Sequence, residues 1–219
     1  MEQEHSPYDE LVAMIKQRPT SIAGLKYFPD LEPEVSNDRD APLHDRWLSP
    51  VEVTDCNLAV VQDVMRELGD RLLAALEIGV NRNGERSMSR VIMDQRPAGS
   101  FYLGVDIDDK SYLDDESTNT WTIRCSSSDR YRVLDKMRER GVGLLDLIMI
   151  DGWHSVNQCV NDWQYTERLT DHGVVILHDT NSHPGCVALL EAIDDKLWTK
   201  QRLCIGADYG ISVIRRRLA

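Results

Sequence analysis

The sequence predicts an α/β protein built on a doubly wound, mostly parallel seven-stranded sheet, and three observations carry that prediction. Two short runs, Leu147-Ile148-Met149-Ile150 and Gly173-Val174-Val175-Ile176-Leu177, are apolar without alternation, the pattern of strands buried on both faces. From residue 49 onward such runs take turns with amphipathic helical segments, which implies right-handed crossovers and helices on both faces of one sheet. The last two runs are separated only by Gly206-Ala207-Asp208-Tyr209-Gly210, a hairpin that makes the C-terminal strand antiparallel.

The elements follow in order. Residues 8 to 18 carry Leu11, Val12, Met14 and Ile15 among charges, a short amphipathic helix. From Pro19 to Leu48 no period holds, yet Tyr27, Phe28, His44 and Trp47 fall there, so residues 1–48 are expected to form an N-terminal arm and lid. Ser49-Pro50-Val51-Glu52 predicts a helix start with serine as cap, continued by Leu58, Val61, Met65 and Leu68. Then come a strand at 72–78, a helix near 86–94, a strand at 101–107, a strand at 121–125 and a helix near 129–140. The strand ending at Asp151 precedes a helix that turns Val156, Cys159, Val160 and Trp163 inward. The strand ending at Leu177 precedes one with Val187, Leu190, Ile193 and Leu197, and runs at 202–205 and 211–214 form the hairpin. Trp163 and Trp198 are expected in the core.

The chain has 219 residues, enough for one large core and too few for two, so residues 49–219 form a single main domain. No apolar run nears the roughly 20 residues of a membrane span, which excludes a membrane partner. A formal net charge of −12 repels phosphate backbones and excludes general nucleic-acid binding. The acidic start, Met1-Glu2-Gln3-Glu4-His5, lacks the basic and apolar pattern of a secretory signal, so a cytoplasmic protein is expected. Five cysteines without a C-x-x-C pair are expected as reduced thiols. The arm is long enough to pack on a second copy, which leaves a homo-oligomer open.

The chemistry gathers where strands stop. Two neighbouring strands deliver Asp151 and His154, and His178 and Asp179, to the carboxyl edge of the sheet, where open α/β sheets bind ligands. Leu76-Glu77-Ile78-Gly79, followed by Gly84 and Ser87, is a strand entering a glycine-bearing loop and a helix. It lacks the paired glycines of a dinucleotide fingerprint, and an acid at that strand end suits a ligand carrying positive charge. Asp106 ends the next strand, placed to accept from ribose hydroxyls. Ser126 and Ser127 at the third strand end either edge an adenine or cap the following helix. Of Trp153, Trp163 and Trp198, Trp153, between Asp151 and His154, is the one placed to meet a ligand, while Tyr27, Phe28 and Trp47 either cap a substrate or pack under the loop.

From Ser49 to Arg216, the order of Leu-Glu-Ile-Gly, Gly-Val-Asp-Ile, Ile-Asp-Gly-Trp-His, Gly-Val-Val-Ile-Leu-His-Asp-Thr and Tyr-Gly-Ile-Ser-Val-Ile resembles the class I, Rossmann-like S-adenosylmethionine-dependent methyltransferases. Within them it is most similar to the branch of macrocin O-methyltransferase and cephalosporin hydroxylase-like proteins. The resemblance implies S-adenosylmethionine as cofactor and a small-molecule hydroxyl as acceptor. The methionine part would meet Glu77, Gly79, Val80, Gly84 and Ser87, the ribose Asp106, and the adenine Ser126 and Ser127, with Trp153 alongside. It further implies a divalent metal, magnesium in that branch, at Asp151, His178 and Asp179, and His154 as general base, so that Asp151 and His154 are the catalytic pair. Here His178 stands where some relatives carry a carboxylate, and imidazole favours zinc, manganese or iron over magnesium. Other readings of the same strand ends are a metal-dependent hydrolase, a nicotinamide-dependent oxidoreductase, or a catalytically silent binding or assembly relative.

Overall fold

The computed structural model describes residues 22–29, 53–80, 86–206 and 209–218. In chain order these form α1 (Asp55–Leu68), β1 (Ala74–Ile78), α2 (Met88–Gln95), β2 (Phe101–Asp106), β3 (Thr120–Arg124) and α3 (Arg130–Glu139). There follow β4 (Leu145–Ile150), α4 (Val156–Trp163), β5 (Leu169–His178), α5 (Pro184–Ala192), β6 (Trp198–Leu203) and β7 (Ile211–Arg216). The seven strands lie in the order β3-β2-β1-β4-β5-β7-β6. β1 pairs in parallel with β2 and β4, β5 with β4, and β3 with β2. β7 runs antiparallel between β5 and β6, the predicted hairpin.

The unbroken apolar runs are explained by two cores, one on each face. Strand residues alternate between them, so Leu76, Ile148, Ile150, Val175 and Leu177 pack under α3, α4 and α5, while Ala75, Leu147, Met149, Val174 and Ile176 pack under α1 and α2. Trp163 and Trp198 meet edge to face, 5.0 Å between centroids, inside the first core. At the opposite, amino end of the sheet, buried Asp146 accepts from Leu73 N at 2.8 Å, Ala74 N at 3.1 Å and Thr170 Oγ1 at 2.9 Å, fastening β1, β4 and β5 to one another.

Several expectations need correction. α1 begins at Asp55, because Thr54 and Asn57 form a reciprocal capping box, leaving Val53 and Thr54 outside the helix; residues 49–52 lie outside the described residues. α5 stops at Ala192, since Ile193 turns extended and bridges Leu25; the buried face is therefore Cys186, Leu189 and Leu190, and Leu197 is exposed. β6 starts at Trp198, four residues before the predicted run. The thiols are not all reduced: Cys56 and Cys204, 148 positions apart, are joined in a disulfide that links α1 to the end of β6, while Cys125, Cys159 and Cys186 are free. Of the arm, residues 22–29 dock on the ends of α5 and α4 through Lys26 N to Ala192 O and Trp163 Nε1 to Ala23 O. The helix at 8–18, His44 and Trp47 lie outside the described residues. Among the described residues no helix is long and apolar enough to cross a membrane.

Candidate active site

One cleft of about 680 Å³ opens at the carboxyl ends of β1 to β5, within the range of small-molecule sites. It is lined by Glu77, Gly79, Val80, Ser87, Asp106, Ser126, Ser127, Asp151, Trp153, His154, His178 and Asp179, which is every predicted site residue except Gly84; that residue lies outside the described residues.

At one end the β1 turn is shaped by packing as much as by any ligand. Gly79 has φ 82°, and a Cβ there would collide with the Asp151 carbonyl, so glycine lets the β1 turn lie against the end of β4. Asp106 holds the same turn: its carboxylate accepts from Val80 N and Asp108 N, each at 2.8 Å, with Lys110 Nζ 3.9 Å away. A carboxylate has about four acceptor positions, so Asp106, still partly open to the cleft, retains capacity for hydroxyl donors. Ser87 caps α2 by accepting from Arg90 N at 3.1 Å.

Glu77 lines the deep end of the cleft. It is 2 % exposed, accepts from Ser89 Oγ at 2.6 Å and pairs with the Tyr102 hydroxyl. Burial pushes its carboxyl from 4.5 up to about 8, the two hydroxyl contacts opposing only part of that rise. At neutral pH burial favours the protonated, uncharged form.

At the end of β3, Ser126 Oγ accepts from Ser128 N at 3.3 Å, and buried Ser127 accepts from Gln158 Nε2 at 2.7 Å. Gln158 also reaches Asp162 Oδ1 at 2.8 Å, and burial pushes the Asp162 carboxyl up to about 7 despite contacts with Ser127 and Gln158. Gln158 and Asp162 escaped the sequence reading. Their signal was present, since Gln158 and Asp162 stand four residues apart on one face of α4, with His154 four residues before them at the strand end.

The other end holds the histidines. Ser155 caps α4 by accepting from Gln158 N at 3.2 Å, which fixes His154 just outside the helix. Gly185, in the first turn of α5, passes so close to the His154 carbonyl that any larger residue would displace it. His154 Nε2 lies 2.8 Å from Asp179 Oδ2. His178 Nδ1 lies 2.9 Å from Asp151 Oδ1 and 3.1 Å from Asp179 Oδ2. Asp179 adopts φ 59°, an uncommon conformation for a non-glycine residue and one that turns its carboxylate back among the rings. Burial works against the charge on Asp179, yet His178 and His154 hold its carboxyl well below the usual range. Burial likewise opposes protonation of His178, and Asp151 and Asp179 overcome it, holding its pKa well above the usual histidine value. His183 packs on His154 at 4.2 Å and lies parallel to Tyr209 at 5.9 Å; Tyr209, on the hairpin turn, was not foreseen.

Asp151, His178 and Asp179 bring three donor atoms within 4.8 Å of one another. The set does not suit magnesium, which prefers oxygens, because His178 directs a ring N–H at Asp151 and the third donor is nitrogen. Its far ring nitrogen, Nε2, is buried with no hydrogen-bond partner among the described residues, whereas a metal-bound imidazole ordinarily has that atom engaged.

No protein-family model and no curated sequence relative matches the chain. Solved structures with this fold do. The MycE methyltransferase from the mycinamycin biosynthetic pathway, in complex with Mg, SAH and mycinamycin VI, is 16% identical at TM-score 0.54, over 80% of this chain. The chain spans only 55% of the MycE length. The O-methyltransferase TomG from Streptomyces achromogenes, in complex with SAM, is 13% identical at TM-score 0.52, covering 86% of this chain and 92% of its own. A putative caffeoyl-CoA O-methyltransferase from Staphylococcus aureus is 15% identical at TM-score 0.53, covering 80% and 96%. The chain has the fold of these methyltransferases.

Proposed function

We propose that the chain is an S-adenosylmethionine-dependent methyltransferase that methylates a hydroxyl oxygen of a small-molecule acceptor, with His154 as general base. The observation that carries the reading is the continuity of one cleft from Asp106 and Ser126 to the His154–Asp179 pair. When bound, S-adenosylmethionine supplies a methyl group already activated on a sulfonium. The protein has then to align the acceptor, exclude water and remove a proton. Asp106 receives the ribose hydroxyls, the Gly79–Val80 turn faces the methionine part, and Ser126 with Gln158 edges the base, while Trp153 walls the junction between the two ends.

Proton removal follows from the histidine contacts. With Nε2 facing Asp179, His154 takes up the acceptor proton at Nδ1. Asp179 stays ionised and stabilises the imidazolium that forms, and Asp151 is held in place by His178. Calorimetry with S-adenosylmethionine and S-adenosylhomocysteine tests the cofactor, and absence of binding for both at millimolar concentration refutes the reading. His154→Ala is expected to bind both normally and to lose methyl transfer; transfer at the wild-type rate places the base elsewhere.

A further inference from the structure

We infer that the Cys56–Cys204 disulfide is a redox-controlled anchor for the acceptor-side wall of the cleft, acting on His154 through Tyr209 and His183. The bond joins the first turn of α1 to the chain leaving β6. Cys204 sits at φ 53°, a left-handed conformation that side chains disfavour, and its carbonyl accepts from Asn181 Nδ2 at 3.0 Å. Asn181 N in turn donates to the Tyr209 carbonyl at 2.8 Å, and Gly210 packs so tightly on the Asn181 side chain that any Cβ there would collide with it. The loop after β5 and the segment entering β7 are therefore one packed unit with Cys204 at its edge.

Ring contacts carry that unit to the base. Tyr209 lies over His183 with 10° between the planes, and His183 packs on His154. All three rings line the cleft. Tyr209 and His183 are thus positioning residues, and each link from the disulfide to His154 is a direct contact. Calling His154 the base rests on the methyltransferase reading; the coupling between bond and loop is a property of the fold.

The bond is open to reductants, because Cys56 is exposed and Cys204 half-buried. By contrast Cys159 and Cys186, 3.8 Å apart, are buried. A thiolate of a dithiol attacks one sulfur, and the second thiol then cleaves the mixed disulfide. Cys56 and Cys204 leave as thiols with the two electrons, and the dithiol closes into its own disulfide. Cys204 then keeps its hydrogen bond to Asn181 and its packing on the α1-side core but loses its covalent tie to α1, and the wall loosens.

Hydrogen–deuterium exchange on the full chain tests this, comparing the oxidised protein with the protein reduced by dithiothreitol, with Cys56→Ser, and with Tyr209→Ala carrying an intact bond. Expected is exchange about tenfold faster in residues 179–183 after reduction and in Cys56→Ser, with α3 and β3 unchanged. Tyr209→Ala reproduces the effect in residues 179–183 with the bond in place. Unchanged exchange there on reduction overturns the inference, as does uniform acceleration over the whole chain, which marks a bond serving global stability alone. Titration of five free thiols in unreduced protein also overturns it. A failure of the methyltransferase reading shows separately, as no cofactor binding in calorimetry, and leaves the exchange result standing.

Discussion

Replacing Glu77 by glutamine removes an acid that the fold keeps protonated, and the consequence is a stability difference that depends on pH. In the unfolded chain the carboxyl ionises near 4.5; in the fold burial holds it to about 8. Between those values the unfolded state releases a proton that the native state keeps, so the unfolded form binds fewer protons and wild-type stability falls as pH rises. Below about pH 4.5 the group costs nothing, and above about pH 8 the full cost is present and constant. At about 1.4 kcal/mol per pH unit, the ceiling of that cost is roughly 5 kcal/mol. Glutamine matches the shape and can still bond Ser89 and Tyr102, but it never ionises. Other titrating groups are common to both proteins and cancel in the difference. Urea unfolding of wild type and Glu77→Gln from pH 5 to 9 is therefore expected to show the variant gaining on wild type with increasing pH, by several kcal/mol at the alkaline end. A difference that stays flat across this range refutes the assignment of a neutral Glu77. If, in addition, Glu77→Gln weakens S-adenosylmethionine binding about a hundredfold at neutral pH, the carboxylate is charged and faces the cofactor after all.

The remaining expectations concern the corner and the foot of the sheet. His154→Ala lowers methyl transfer by about 10² to 10⁴-fold, the usual range for a lost general base, with cofactor affinity in calorimetry unchanged. Treatment with a chelator such as EDTA leaves transfer intact, and magnesium gives no binding heat with the wild-type protein. His178→Asp, which supplies a carboxylate in place of the imidazole, gains measurable magnesium binding; binding by wild type of equal strength contradicts the donor argument. Asp146→Ala leaves the amides of Leu73 and Ala74 and the Thr170 hydroxyl without their shared acceptor, and is expected to cost about 3 to 5 kcal/mol in urea unfolding, far above a surface substitution.

What could be read from the chain was what depends on local pattern. The runs ending at Asp151 and His178 announced strands because a sheet covered on both faces needs no polar alternation, and the residues just beyond them had nowhere to go but the carboxyl edge. Asp151, His154, His178 and Asp179 were expected at that edge for that reason, and they line the cleft there. What depends on partners brought from afar was not legible. The state of Glu77 is set by complete burial, opposed in part by Tyr102 on the neighbouring strand, and its own segment reveals neither. The Cys56–Cys204 pair requires knowing that α1 lies beside the β6–β7 turn. Two competing local signals also misled: Ser49 with Glu52 offered a helix start, but Thr54 with Asn57 closes the box from which α1 begins. Ile193 and Leu197 continued an apolar period, yet Ile193 leaves the helix to pair with Leu25.

The covalent link at Cys56 closes the chain into a ring that contains β1 through β6 and leaves β7, among the described strands, outside it. Cleavage of any single peptide bond within that ring cannot release a fragment while the link is intact. A nicked molecule migrates as one species until thiol is added, and then separates into two. Endurance against proteases is thereby tied to the same bond that steadies Tyr209, so an oxidising environment favours both a long-lived chain and an ordered cleft.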